Sequence, residues 1–295
     1  MESEPRPSKP SDANRPLCVD LDGTLISTDS NAESLVELLK KAPWKLLTAA
    51  AELTRGRPEL KRYLAQHAPV DPASLPYREE VLEEIRQARD AGRRVLLVTA
   101  SDQATADAVA GYLELFDEAI GSDGRNNLKA AKKAEYLASR FGAGGFQYLG
   151  DSSADLPVWQ AANEASMVCP SASTQRAAEQ QVPRTRVLRE RPSKLRAVIK
   201  ELRPHQWAKN TLLFVPLYFS HQYTDLSLVF AAVMAFFSFS LCASSIYVLN
   251  DLADLPSDRQ HRSKRTRPLA AGTRAIDEGL APARPASGAP CRAGR

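Results

Sequence analysis

Two aspartates separated by one residue, Asp20 and Asp22, follow a short apolar run near the start of the chain. The stretch reads LCVDLDGTLI, and Gly23 permits the tight turn that must follow a strand. Open parallel sheets hold their active sites at the carboxyl ends of their strands. One carboxylate there can attack a phosphoryl group, and the other can exchange a proton with the leaving oxygen. The alternative is a polar loop that happens to contain two acids.

Two further polar residues lie where an α/β fold would bring them to the same edge. Thr99 follows the apolar run 94–98, and its hydroxyl can hold a phosphoryl oxygen, a role for which Ser101 is a rival. Lys129 lies at a predicted helix start and can neutralise phosphoryl charge, in competition with Lys132 and Lys133. Taken alone, the threonine would be read as a strand-end cap and the lysine as a solvated side chain.

The segment GDSSAD, residues 150–155, follows another apolar run. Asp151 and Asp155 offer hard oxygen ligands of the kind that Mg²⁺ prefers. A metal ion is expected there, because an anionic nucleophile must approach an anionic phosphate. An ordinary helix N-terminus rich in acids is the alternative.

The elements that must position these residues alternate between strand and helix from residue 17 onward. This alternation predicts an α/β fold with a doubly wound parallel sheet. A helical insertion of about 50 residues lies between the first strand and the next α/β unit, and it predicts a small cap over residues 27–76.

Residues 17–169 resemble the haloacid dehalogenase superfamily of phosphohydrolases throughout, and the cap resembles that of phosphoserine-phosphatase-like members. The resemblance implies that Asp20 is the nucleophile and Asp22 the acid and base. It implies phosphate-binding roles for Thr99 and Lys129. The metal ligands it implies are Asp20, Asp151, Asp155 and, through its backbone carbonyl, Asp22.

The second part of the chain differs in charge and hydropathy. Residues 1–183 carry 21 Lys and Arg against 27 Asp and Glu, whereas residues 184–295 carry 18 against 8, which suggests a module near an anionic surface. Residues 226–249 contain no charge and are long enough to cross a bilayer. Basic clusters flank the region on both sides, so the positive-inside rule favours a hairpin whose short first span is residues 207–223.

An acidic motif, NDLADLPSD, follows the apolar stretch. Asp251, Asp254 and Asp258 lie at i, i+3 and i+7, so a continuous helix would place them on one face; Pro256 would shift the last one. Residues 202–272 resemble the first part of the UbiA superfamily of prenyltransferases, in its polyprenyl-phosphate phosphoribosyltransferase-like branch. The resemblance implies that Asn250 and the three aspartates bind Mg²⁺ and a diphosphate. No second acidic motif follows, so we expect a truncated transferase of doubtful activity.

These interpretations predict five segments: a disordered leader (1–16), the phosphohydrolase domain (17–174), a basic linker (175–203), a partial UbiA-type membrane segment (204–272) and a disordered tail (273–295). We expect a Mg²⁺-dependent phosphomonoester hydrolase tethered to the cytoplasmic membrane, with its catalytic domain on the cytoplasmic side. The alternatives are a bifunctional enzyme of polyprenyl-phosphate sugar metabolism and a non-catalytic membrane adaptor. The expected partners are a phosphorylated small molecule or a phospho-lipid head group and the membrane, without nucleic acid.

Overall fold

The computed structural model describes residues 15–123, 128–191, 199, 202–261, 267 and 270. Its centre is a six-stranded sheet, all of whose strands run parallel, in the order β3-β2-β1-β4-β5-β6. The strands are β1 (Leu17–Val19), β2 (Val95–Asp102), β3 (Glu118–Ser122), β4 (Gln147–Gly150), β5 (Glu164–Val168) and β6 (Thr185–Arg189). The strand order reverses between β1 and β4, and such a switch point leaves a crevice at the carboxyl ends of the strands.

Both faces of the sheet are covered, which explains why its inner strands read as continuous apolar runs. Alternate residues of a strand point to opposite faces. Leu17 and Val19 therefore lie in the core cluster on one face, while Cys18 lies in the cluster on the other. The α/β class and the doubly wound parallel sheet are confirmed.

Helices connect the strands and cover the sheet. Five lie in this α/β part: α4 (Glu79–Asp90), α5 (Gln103–Leu113), α6 (Ala131–Phe141), α7 (Leu156–Ala161) and α8 (Ala172–Gln181). The insertion after β1 contains α1 (Ser30–Lys41), α2 (Lys45–Arg55), α3 (Arg57–His67) and a 3₁₀ turn at Pro72–Ser74. Leu38, Ala49, Leu64 and Ala68 form a separate small core inside this insertion, as expected of a helical cap.

The sheet continues beyond the predicted end of the domain at residue 174. α8 and β6 fall within residues 175–203, which we interpreted as a basic linker, and β6 pairs in parallel with β5. Arg186 and Arg189 of β6 form ion pairs with Glu84 and Glu80 of α4. The linker interpretation is therefore wrong for residues 175–189: their basic side chains belong to a half-exposed edge strand. The predicted leader, apart from residues 15 and 16, and the predicted tail lie outside the described residues.

The C-terminal part contains one long apolar helix and shorter elements packed beside it. A 3₁₀ segment (Pro204–Phe214) leads into α9 (Val215–Phe219), and α10 (Leu226–Ala253) and α11 (Leu255–Gln260) follow. Trp207 and Asn210 donate hydrogen bonds from their side chains to Ser244 and Ser240 of α10. Among the described residues, one helix, Leu226–Leu252, is long and apolar enough to cross a membrane. The hairpin with residues 207–223 stays a prediction, because that stretch is divided between the 3₁₀ segment and α9.

Candidate active site

Asp20 lies directly after β1, at the switch point of the sheet, and is 8% exposed. Lys133, in the first turn of α6, donates a hydrogen bond from Nζ to Asp20 Oδ1 over 2.8 Å, and its own side chain is almost completely buried. Burial lowers the pKa of Lys133, but the charges of Asp20 and Asp155 outweigh this effect and the net pKa is raised. A permanent cation therefore lies against the carboxylate that we predicted to be the nucleophile.

This position corrects the predicted lysine. Lys129 is exposed and precedes α6, which begins at Ala131, three residues later than the sequence pattern suggested. Lys133 lies four residues beyond Lys129, about one helical turn, so spacing alone could not separate the two. Lys133 was among the alternatives, and its contact with Asp20 now distinguishes it from Lys132, which is exposed.

Tyr148, in β4, connects the lysine to the acidic segment and was not predicted. Its hydroxyl accepts a hydrogen bond from Lys133 Nζ at 2.7 Å and donates one to Asp155 Oδ1 at 3.0 Å. The other oxygen of Asp155 accepts hydrogen bonds from the backbone amides of Asp151 and Ser152, at 3.3 and 3.2 Å. A tyrosine between Gln147 and Leu149 gives no chemical signal before the fold is known.

Three carboxylates converge at this edge. One oxygen each from Asp20, Asp151 and Asp155 lies within 4.8 Å of the others. Burial, together with the charges of the neighbouring carboxylates, raises the pKa of Asp20 to about 7 and that of Asp151 to about 8, even though Lys133 and Arg78 respectively act to lower them. Crowded, buried carboxylates of this kind need positive charge to ionise together. This oxygen donor set fits a hard divalent cation such as Mg²⁺.

Gly23 makes room for this cluster. Its φ is +77°, and a Cβ atom at this position would lie 2.4 Å from Asp151 Oδ2, closer than real side chains approach. Gly23 therefore has two roles: it permits the turn after β1, and it leaves space for the carboxylate of Asp151, which follows β4.

Asp22 is held apart from the three carboxylates by hydrogen bonds to the cap and to β2. Ser30, the first residue of α1, donates its backbone N–H to Asp22 Oδ1 at 2.7 Å, and Ser101 donates its hydroxyl to Oδ2 at 2.5 Å. Burial, then the charge of Asp29, raises the pKa of Asp22, although these hydrogen bonds act in the opposite direction. A carboxyl group that retains its proton can act as a general acid.

Thr99 is completely buried in β2, and its Oγ1 accepts a hydrogen bond from the backbone amide of Ser101 at 3.0 Å. Ser101 contacts Asp22 directly, whereas Thr99 is connected to Asp22 only through Ser101. The cap also reaches this loop, because Lys61 of α3 donates a hydrogen bond to the carbonyl oxygen of Ala100 at 2.7 Å.

The second acidic motif is divided by the break between α10 and α11. Asp251 and Asp258 are buried, whereas Asn250 and Asp254 are exposed. Arg267 Nη1 lies 2.8 Å from Asp251 Oδ1 and 2.5 Å from Asp258 Oδ2, and Arg203 also pairs with Asp251. The helix break at Asp254 has therefore not separated Asp251 from Asp258: both face one arginine, while Asp254 does not join them.

Comparison with known proteins follows the same division of the chain. The family model for haloacid dehalogenase-like hydrolases matches residues 17–160. The chain is 42% identical over 270 residues to uncharacterized protein y4nM of Sinorhizobium fredii, a match that covers 91% of this chain and 52% of that protein. It is also similar to a substrate-bound phosphoserine phosphatase structure, at 17% identity and a TM-score of 0.43, covering 63% of this chain and 97% of that one.

The C-terminal region matches a different protein. Over 79 residues it is 44% identical to the decaprenyl-phosphate phosphoribosyltransferase of Mycobacterium tuberculosis, covering 25% of this chain and 26% of the transferase. The chain thus spans about half of its S. fredii relative and about a quarter of the transferase. The family match and the fold agree on the N-terminal part: residues 17–160 form a haloacid dehalogenase-like hydrolase domain.

Proposed function

We propose that the chain is a Mg²⁺-dependent phosphomonoester hydrolase that works through a phosphoryl group carried on Asp20. The observation that carries the proposal is the buried contact of Asp20 with Lys133, inside a cluster of three carboxylates at the switch point of the sheet. A carboxylate alone would repel a phosphate dianion. Lys133 supplies one fixed positive charge there, and a metal ion held by Asp20, Asp151 and Asp155 would supply two more.

The residues divide the reaction into two displacements at phosphorus. In the first, an oxygen of Asp20 bonds to phosphorus while the bond to the leaving oxygen breaks, and Asp22 gives its proton to that oxygen. In the second, Asp22 takes a proton from water, which attacks phosphorus and releases phosphate from Asp20. Ser30 and Ser101 fix both oxygens of Asp22 and so determine where its proton is delivered.

The experiment is hydrolysis of p-nitrophenyl phosphate by the full chain, solubilised in mild detergent, with and without Mg²⁺. We expect activity that requires Mg²⁺ and that falls about 10³-fold or more in Asp20→Asn, because the amide cannot act as the nucleophile. Asp90→Asn, an exposed aspartate at the end of α4, is the matched control and should keep full activity. Equal activity in Asp20→Asn and the parent chain would contradict the mechanism. No hydrolysis of any phosphomonoester would favour a non-catalytic adaptor.

We propose further that α10 anchors the enzyme in the cytoplasmic membrane, with the catalytic domain on the cytoplasmic side. The helix carries no charge from Leu226 to Leu249, and large apolar side chains along it, such as Phe230 and Phe239, are more than half exposed. Such a surface is stable only in an apolar environment.

A second candidate function uses both modules. The transferase that the C-terminal region resembles is named for phosphoribosyl transfer to decaprenyl phosphate. A longer protein with both modules would make a phosphoribosyl lipid and remove its phosphate, since tethering raises the local concentration of the shared intermediate. Synthesis of such a lipid by the longer S. fredii relative, with accumulation of the phosphorylated lipid in its Asp20→Asn equivalent, would support this function. No lipid product from the longer protein would count against it.

A further inference from the structure

A single arginine in α11 holds both ends of the phosphatase cap. Arg259 pairs with Glu33, Nη2 lying 2.5 Å from Oε1 and Nη1 lying 3.2 Å from Oε2. Nη1 also donates a hydrogen bond to the carbonyl oxygen of Ser74 at 3.1 Å. Glu33 lies near the start of the cap and Ser74 near its end, so one guanidinium joins the two segments that lead into and out of it.

The ion pair between Arg259 and Glu33 is buried, and a small hydrophobic cluster lies beside it. The side chains of Arg259 and Glu33 are each 8% exposed, a rare position for charged residues that are not paired. Beside them, Val36 of α1 packs with Leu252, Leu255 and Ala270 of the C-terminal part. The cap is therefore fixed against the transferase-like segment (residues 204–272) by an ion pair and a small hydrophobic cluster.

This contact lies one helical turn from a group that the reaction uses. Glu33 is in the first turn of α1, and Ser30, which begins α1, donates its backbone N–H to Asp22. The hydroxyl of Ser30 also lies 2.8 Å from that of Ser101, the other hydrogen-bond donor to Asp22. Any shift of the N-terminal turn of α1 would move the Ser30 amide that binds Asp22 and the Ser30 hydroxyl that contacts Ser101.

We propose that Arg259 is a positioning residue of the phosphatase, acting through Glu33 and the first turn of α1 on Asp22. The inference rests on the proposed phosphatase function and assigns a role in it to a residue 99 positions beyond the end of the family match. The transferase-like segment then does more than anchor the enzyme, because it fixes the geometry of proton delivery to the leaving oxygen.

The test compares two substrates that differ in their need for that proton. p-Nitrophenolate leaves readily without protonation, whereas the oxygen of an alkyl phosphate must be protonated as it leaves. In the full chain in mild detergent with Mg²⁺, Arg259→Met should lower kcat for the alkyl phosphate about ten times more than for p-nitrophenyl phosphate. A purely structural loss would reduce both rates by the same factor.

Three further variants complete the test. Glu33→Gln should reproduce the unequal loss, and Arg259→Lys, which keeps the charge, should restore part of the alkyl phosphate rate. Arg86→Met removes a solvent-exposed ion pair to Glu79 and should change neither rate. If Arg259→Met does not fold, as judged by circular dichroism, Glu33→Gln takes its place in the comparison.

The outcomes separate the two claims. Hydrolysis of neither substrate by the parent chain would overturn the proposed function itself. An active parent chain with unchanged or equally reduced rates in the Arg259 and Glu33 variants would overturn the positioning role and leave the phosphatase intact.

Discussion

At the scale of single residues, the candidate active site contains more negatively charged side chains than positively charged ones. Asp20, Asp151 and Asp155 crowd one edge of the sheet, and among the described side chains Lys133 is the cation that contacts Asp20, the proposed nucleophile. Its ammonium group donates hydrogen bonds to Asp20 and Tyr148, and through Tyr148 it is connected to Asp155. Loss of this lysine would therefore disturb the proposed nucleophile and a proposed metal ligand together.

Lys133→Met should lower kcat for p-nitrophenyl phosphate by about 10²-fold or more, because a buried cation next to the reacting phosphoryl group is lost. Lys129→Met should cost much less, since Lys129 is exposed, and Lys132→Met serves as the matched control with unchanged activity. Steady-state kinetics at saturating Mg²⁺ measures all three. A larger loss at Lys129 than at Lys133 would restore the assignment made from the sequence.

The raised pKa values of Asp20, about 7, and Asp151, about 8, predict a pH dependence of stability. In metal-free protein, the folded state keeps protons that the unfolded chain has released above pH 4, so stability should fall as the pH rises from about 4 to 8. Thermal unfolding in EDTA at pH 5 and pH 8 measures this fall.

Mg²⁺ should reduce the fall, because it favours the ionised carboxylates. Asp151→Asn should reduce it as well, since the amide does not titrate. Metal-free protein that is equally stable at both pH values, or more stable at pH 8, would show that these carboxyl groups are not protonated in the fold.

At the scale of the elements, the turn after β1 lies against Asp151, and Gly23 allows this by a positive φ and the absence of a side chain. Gly92, after α4, also has a positive φ, +73°, but a Cβ there would meet nothing within 4 Å. Substituting the two glycines therefore distinguishes two effects: a side chain at either position strains the backbone, but only one at Gly23 would also clash with Asp151.

Gly23→Ala and Gly92→Ala should each lose about 1 kcal/mol of stability, because both residues adopt a left-handed conformation. Only Gly23→Ala should also lose activity, since its methyl group would displace Asp151. Thermal unfolding and the Mg²⁺ concentration for half-maximal activity measure the two effects. Equal activity in the two variants would show that Asp151 tolerates displacement.

Much of this architecture could be predicted from the sequence, for physical reasons that differ between elements. The insertion predicted over residues 27–76 is helical, and Asp29 caps its first helix, α1, by accepting hydrogen bonds from two backbone amides. β6 was missed because its exposed arginines read as a basic linker, whereas its neighbours in the sheet determine that it is a strand. Lys133 was not selected because the start of α6 depends on packing that local sequence does not reveal.

At the scale of the whole molecule, the chain joins an acidic hydrolase-like domain to a basic, apolar part. Among the described residues, the core clusters on the two faces of the sheet contain side chains of the first module alone. The second module leaves an apolar helix largely uncovered. The candidate active site is built from buried polar side chains, and only some of them could be identified from the sequence. The placement of Arg259 on the cap depends on a tertiary contact between residues 226 positions apart, which no local pattern predicts.

If α10 spans the membrane, a charge at its centre should interfere with insertion. Phe239→Arg, near the middle of the helix, should release the chain from membranes under alkaline carbonate extraction, because a central arginine costs about 3 kcal/mol on insertion scales. Leu226→Arg, at the helix start, is the matched control, since an arginine there can reach the interface. Membrane retention of both variants to the same extent would contradict insertion of α10.

The position of β6 also has a consequence for the order of events during synthesis. β6 ends at Arg189 and α10 begins at Leu226, so 36 residues separate the last strand of the sheet from the uncharged helix. At about 5–20 residues per second, the ribosome needs roughly 2–7 s to make that interval. The last strand of the sheet is therefore complete roughly 2–7 s before the first residue of the apolar helix is added to the chain.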